Sequence, residues 1–169
     1  MGRIIPRVGD VFTRLNGAVF NADVKEARAV EPLLREAELE ALERTVFSSE
    51  RPEIVEAVLK ACPNCRVGFS IVGYSSLMWV PRLKGIYSLH VPIDAVSYVG
   101  YGAFRSLLQS FRKRGLKIYL WNHGMDELHW IPRLLSLADA VISDDPARLR
   151  KGFYGEGVFS WGDSNVGKG

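Results

Sequence analysis

Residues Gly115–Gly124 read GLKIYLWNHG, and residues Ala138–Pro146 read ADAVISDDP. In the first, a glycine follows a basic, helix-like stretch, and a short apolar run then stops at Trp121 and Asn122. In the second, another short apolar run stops at acids and a proline. Short runs of this kind, rich in β-branched and aromatic residues and not strictly alternating, are expected of strands buried on both faces, as in a parallel sheet. Their polar ends then gather at the carboxyl edge of the sheet, where α/β proteins bind ligands.

The same pattern recurs upstream in GAVFNADVK (17–25), RTVFSS (44–49), RVGFSIVG (66–73) and GIYSLHVPI (85–93). Amphipathic stretches lie between the runs. IPRVGDVFTRLN has Pro6 near a helix start and places Val8, Val11, Phe12 and Leu15 on one stripe. EPLLREAELEALE and RPEIVEAVLKAC each offer a proline, Pro32 and Pro52, for a first helical position. GAFRSLLQSFRKRG ends in basic residues and Gly115, a helix stop, and Pro132 marks the start of a last helix or a kink in it.

The order is a helix followed by six βα units. No glycine-rich fingerprint follows the first strand, which argues against a dinucleotide-binding sheet. The predicted fold class is therefore α/β, a partial TIM-type (β/α) barrel with about six of the eight βα units, since a full barrel takes about 250 residues. Residues 1–151 form this domain in the prediction, and residues 152–169 form a Gly- and aromatic-rich tail whose Phe153, Tyr154, Phe159 and Trp161 pack in part.

Composition excludes some partners. Hydrophobic residues make up 47% of the 169 and charged residues 24%, as in an ordinary globular domain. The net charge of +3 is too mild for a nucleic-acid surface, and the one basic cluster, SFRKRGLK, sits where cations complement a helix dipole. No apolar run approaches the roughly 20 residues of a membrane span. MGRIIPRVGD lacks a signal-peptide core, and GRIIPR lacks the Ser or Thr of a myristoylation signal. A cytoplasmic protein with no nucleic-acid partner and no membrane span is expected.

Four segments, in order and with compatible spacing over roughly residues 5–150, resemble glycerophosphodiester phosphodiesterases. IPRVGDVFTRLNGAVFNADVKE resembles their Pro-led helix and N-I-E-I-K strand. TVFSSERPEIVEAVLKACPNCRVGFSI is similar to their next two strands. GLKIYLWN resembles the strand that carries W-T-V-N, and ADAVISDDPARLRK resembles their closing G-V-D-G-I-I-T-D-x-P. The family's H-R-G, E-x-D and H-D motifs have no counterpart here. The three histidines, His90, His123 and His129, sit in no such motif, and Asp23 stands where the family has a glutamate.

The resemblance implies phosphoric diester hydrolysis to an alcohol and glycerol 3-phosphate, with a divalent metal (Mg²⁺ or Ca²⁺) and a histidine pair as acid and base. Residue by residue, it implies Asp23 as a metal ligand, Lys25 as the catalytic cation near the phosphate, and Trp121 against the alcohol part of the substrate. His90, in SLHVP, adds a substrate-binding candidate by position, at the end of its strand. With the histidine pair missing, the chain is expected to be a truncated relative with turnover near background. The alternatives are a non-catalytic binding or assembly module, or another barrel enzyme acting on phosphate compounds.

Other features read as structural. Asp144 is expected to cap the helix begun at Pro146. CPNC (62–65) closes a helix instead of opening one, so a structural thiol pair or local disulfide is expected there. GDSNVGKG (162–169) lacks the Ser or Thr and the helix of a phosphate loop. A barrel short of two units leaves two strand edges open and exposes interior layers of residues such as Phe20, Phe47, Phe69 and Tyr119, so the chain is expected to self-associate.

Overall fold

A computed structural model describes residues 5–15, 17–124 and 127–154. Six parallel strands form one sheet: β1 (Phe20–Asp23), β2 (Thr45–Ser49), β3 (Arg66–Ser70), β4 (Ser88–Pro92), β5 (Lys117–Trp121) and β6 (Ala140–Val141). Their order in space is their order in sequence. With helices in every connection, the sheet curls into a partial (β/α) barrel, as expected.

The helices are α1 (Val8–Arg14), α2 (Val30–Glu36), α3 (Leu39–Glu43), α4 (Pro52–Ala61), α5 (Tyr74–Leu77), α6 (Val96–Val99), α7 (Tyr101–Lys113), α8 (Glu127–Leu134) and α9 (Pro146–Tyr154). Pro52 opens α4, where its missing N–H costs no helical hydrogen bond. Pro32 does not open a helix: it is the third residue of α2, and the segment breaks at Ala37, which is extended. Pro132 lies inside α8, near its end. Of the stripe expected on α1, Phe12 is buried, whereas Leu15 is half exposed. Gly115 ends α7 at φ +83°, and the Gly115 and Leu116 amides donate to Arg112 and Phe111 carbonyls that the helix leaves unpaired.

Register divides the side chains between two faces, because partners across a parallel pair point the same way. One face carries Phe47, Val67, Phe69, Leu89, Val91, Ile118 and Leu120, all buried beneath Ile54 and Val58 of α4, Phe104 and Leu108 of α7, and Ile131 and Leu134 of α8. Full burial of each such side chain is worth about 1.5–3 kcal/mol. A smaller cluster of Phe12, Ala37 and Ala41 packs with Phe20, whose ring meets Phe12 edge-on at 4.9 Å.

This corrects one expectation. Phe20, Phe47 and Phe69 belong to the helix-covered side, and only Tyr119 of that group lies on the concave side, opposite His90 in the register. The barrel interior carries polar residues together with His90, Tyr119 and Trp121, and not the three phenylalanines. The expected end of the barrel at residue 151 is crossed by α9, which runs to Tyr154. The tail residues 155–169, with Phe159 and Trp161, lie outside the described residues.

Candidate functional site at the concave face

Alternate residues of the strands build the concave face. In register across the sheet it reads Asp23, Ser48, Gly68 and Ser88, then Ser70, His90 and Tyr119, then Pro92 and Trp121. The helix-covered face is apolar at nearly every position, so this polar set stands out by its side of the sheet.

At the edge, the Lys25 ammonium lies 2.8 Å from the Asp23 carboxylate and 4.0 Å from Glu50. The hydrogen bond that Lys25 donates to Asp23 raises the Lys25 pKa more than partial burial lowers it, so the ammonium stays charged. Asp23 and Lys25 therefore face the same side, as their alternate positions predict. Both are well exposed, at 44% and 61% of their side chains.

His90 is deeper. Its residue is 2% exposed, and its ring stacks on Tyr119 at 5.0 Å. Ser88 Oγ lies 3.2 Å from Nε2 and Ser70 Oγ 3.5 Å from Nδ1. Burial lowers the His90 pKa to about 4, and the nearby charge of Asp23 offsets only part of that. The imidazole is therefore neutral at pH 7. Room for it comes from Gly68, where an added Cβ would stand 2.6 Å from Nε2 and 2.7 Å from Ser88 Oγ. Burial also raises the Tyr119 phenol, with Tyr87 adding to the effect.

Trp121 is half-buried at the end of β5, with its ring 4.3 Å from that of His123. Its indole N–H is buried and has no acceptor among the described residues, and neither has the buried Ser48 hydroxyl a partner. Buried polar groups are rarely left so, since each costs about 1–3 kcal/mol unless something satisfies it. Two such donors on one concave face, with an ammonium at its edge, suit a ligand rich in acceptor oxygens.

The structure thus puts Asp23, Lys25, His90 and Trp121 on a single face. Sequence reading missed Ser48, Gly68, Ser70 and Ser88, and gave Tyr119 only as an interior packing residue. Two-residue spacing, as in Ser88–His90 and Gly68–Ser70, was the available signal. His123 and His129 are separate, His129 meeting Trp130 edge-on at 4.8 Å. Asp145, and not Asp144, caps α9: its carboxylate accepts the Arg148 amide at 3.0 Å. Cys62 and Cys65 form a disulfide at the opposite end of the strands.

A divalent cation does not fit these residues by themselves. Hard cations take six or more oxygen ligands. Asp23 is engaged by Lys25, and among the described residues no group of three or more His, Cys, Asp or Glu side chains converges.

No family model matches the chain, and no curated protein is similar to it in sequence. Solved structures are similar in fold. The assigned glycerophosphodiester phosphodiesterase of Galdieria sulphuraria superposes with a TM-score of 0.66 at 15% identity, over 86% of this chain and 63% of its own. The glycerophosphodiester phosphodiesterase of Parabacteroides distasonis ATCC 8503 gives 0.62 at 12% identity, over 85% and 60%. That of Agrobacterium tumefaciens str. C58 gives 0.57 at 18%, over 82% and 58%. The fold is the one these phosphodiesterases have. This chain spans 58–63% of their length.

Proposed function

We propose that the concave face binds a small glycerophosphodiester or the glycerol phosphate it contains, and that the chain by itself turns the diester over slowly or not at all. The carrying observation is the pair of unpartnered buried donors, Ser48 hydroxyl and Trp121 indole N–H, on the same face as the Lys25 ammonium. The likeness to glycerophosphodiester phosphodiesterase structures supports the substrate class. In this reading Lys25 attracts the anion, Trp121 lies against the alcohol part, and neutral His90 lies beneath the bound group.

Slow turnover follows from the side chains. General acid–base catalysis contributes about 10²–10⁴-fold, and the buried, neutral His90 has no second histidine beside it among the described residues. Any divalent metal needs ligands beyond the Asp23 and Glu50 carboxylates.

Titration of the labelled chain with glycerol 3-phosphate and glycerophosphocholine, followed by NMR, tests binding. Shifts confined to β1, β2, β4 and β5, weakened several-fold by Lys25→Ala, are expected. Release of glycerol 3-phosphate with added Mg²⁺ or Ca²⁺ should stay near background. A metal-dependent rate that disappears in Asp23→Ala would overturn the assignment as a binding module.

A further inference from the structure

A second cavity, of about 410 Å³, opens at the carboxyl rim of β3 and β4. That size is within the roughly 300–1,000 Å³ of small-molecule sites. Its walls cross the strand ends. Ile71 and Val91 come from the helix-covered side, with Phe104 and Leu107 of α7 behind them, while Pro92 and His123 come from the concave side.

The lining is almost wholly apolar. Its one carboxylate, Asp94, is turned to the loop after β5, accepting the His123 amide at 2.7 Å and the Gly124 amide at 3.2 Å. That pair of hydrogen bonds fixes His123 between the cavity and Trp121, whose rings are 4.3 Å apart. At the mouth stand three large side chains that folding leaves in water: Tyr74 at 69%, Tyr98 at 81% and Val72 at 46% exposure. Exposed apolar side chains gathered at one cavity mark a binding surface, because scattered ones carry no such cavity between them.

We propose that this cavity holds a single aliphatic chain of an amphiphilic ligand whose polar head rests on the concave face. The proposal builds on the phosphodiester reading, since the cavity and the concave face share the rim at Pro92 and His123. An apolar chain fits because the walls are mostly aliphatic and aromatic, with the Asp94 carboxylate engaged by the His123 and Gly124 amides, and each buried methylene adds to affinity.

Gly73 gives the means of a test. It lines the cavity in an extended conformation, and an added Cβ would meet nothing within 4 Å. Gly73→Trp therefore fills the mouth without strain, and circular dichroism melts check that it folds. The probes are the fluorophore N-phenyl-1-naphthylamine, dodecylphosphocholine below its micelle concentration, and glycerophosphocholine. Expected are fluorophore binding by the intact chain, its displacement by dodecylphosphocholine but not by glycerophosphocholine, and about a tenfold loss of fluorophore affinity in Gly73→Trp. Lys25→Ala should weaken dodecylphosphocholine and leave the fluorophore unchanged. If the folded Gly73→Trp variant binds the fluorophore as the intact chain does, or dodecylphosphocholine binds no better than glycerophosphocholine, the proposal falls. If the fluorophore is displaced as expected while neither glycerophosphocholine nor glycerol 3-phosphate binds, the aliphatic site stands and the headgroup reading fails.

Discussion

His90 couples the interior of the barrel to pH. Its folded pKa of about 4 lies below the roughly 6.5 of an unfolded histidine, with burial as the cause. Between those values the unfolded chain takes up a proton that the folded chain refuses. The His90 contribution is thus whole above about pH 6.5 and is lost as pH falls toward 4, a difference of about 3 kcal/mol. Urea unfolding at neutral and acid pH should show this slope, and His90→Gln should flatten it. Gly68 belongs to the same cluster. Gly68→Ala drives a methyl into His90 and Ser88 and should cost about 1–3 kcal/mol by urea unfolding, whereas Gly102→Ala, with open space around it in α7, should be neutral or slightly stabilising.

At the scale of elements, all six strands and most helices were legible in the sequence, because a short apolar run between glycines and charges has few other homes. Which side of each strand faces inward was not. After their leading arginines, RTVFSS and RVGFSIVG hold apolar or small residues at every position, and such strands give no alternation to read. Phe47 and Phe69 therefore passed for interior residues, while Ser48 and Gly68, one step along, were overlooked. Asp23 and Lys25 were readable because two opposite charges alternate on one strand. The CPNC turn also read correctly as structural. Its disulfide closes a very short loop between α4 and β3. Loop entropy of that size is worth about 2 kcal/mol, so reduction should lower denaturant stability by that much. Binding at the concave face should be unchanged on reduction, since Asp23, Lys25 and Trp121 stand at the other end of the strands.

For the molecule as a whole, the two edges of the sheet are unequal. β6 has only two residues, and a very short edge strand is itself a guard against pairing. β1 is longer. The Phe20 amide donates to Arg44, just before β2, and the Val24 amide to Ser48, so the main-chain groups of Asn21 and Asp23 alternate toward the open side. Beside this edge lies a groove of about 700 Å³ between Ala22, Val24, Pro32 and Leu33. Val19, just before the strand, is 73% exposed. Association of two copies through β1 is the expected outcome, read as a concentration-dependent mass in light scattering coupled to gel filtration. A proline at Asn21 should return the chain to a monomer.

The strictly sequential strand order has a consequence for motion. Each strand's neighbours in space are its neighbours along the chain, so among the described residues no strand pairing locks the first unit to the last. A linear array of this kind opens from its ends inward, one unit at a time. Amide hydrogen exchange should then form a gradient, slowest in β3, β4 and β5, where Phe69, Leu89 and Ile118 are fully buried, and fastest in β1 and β6. His90 and Tyr119 sit in the slow centre, whereas Asp23 and Lys25 sit on the unit that opens first. The binding face would thus have one fixed wall and one that comes and goes, and a ligand bridging them should slow exchange at Asn21 and Asp23 far more than at Leu89.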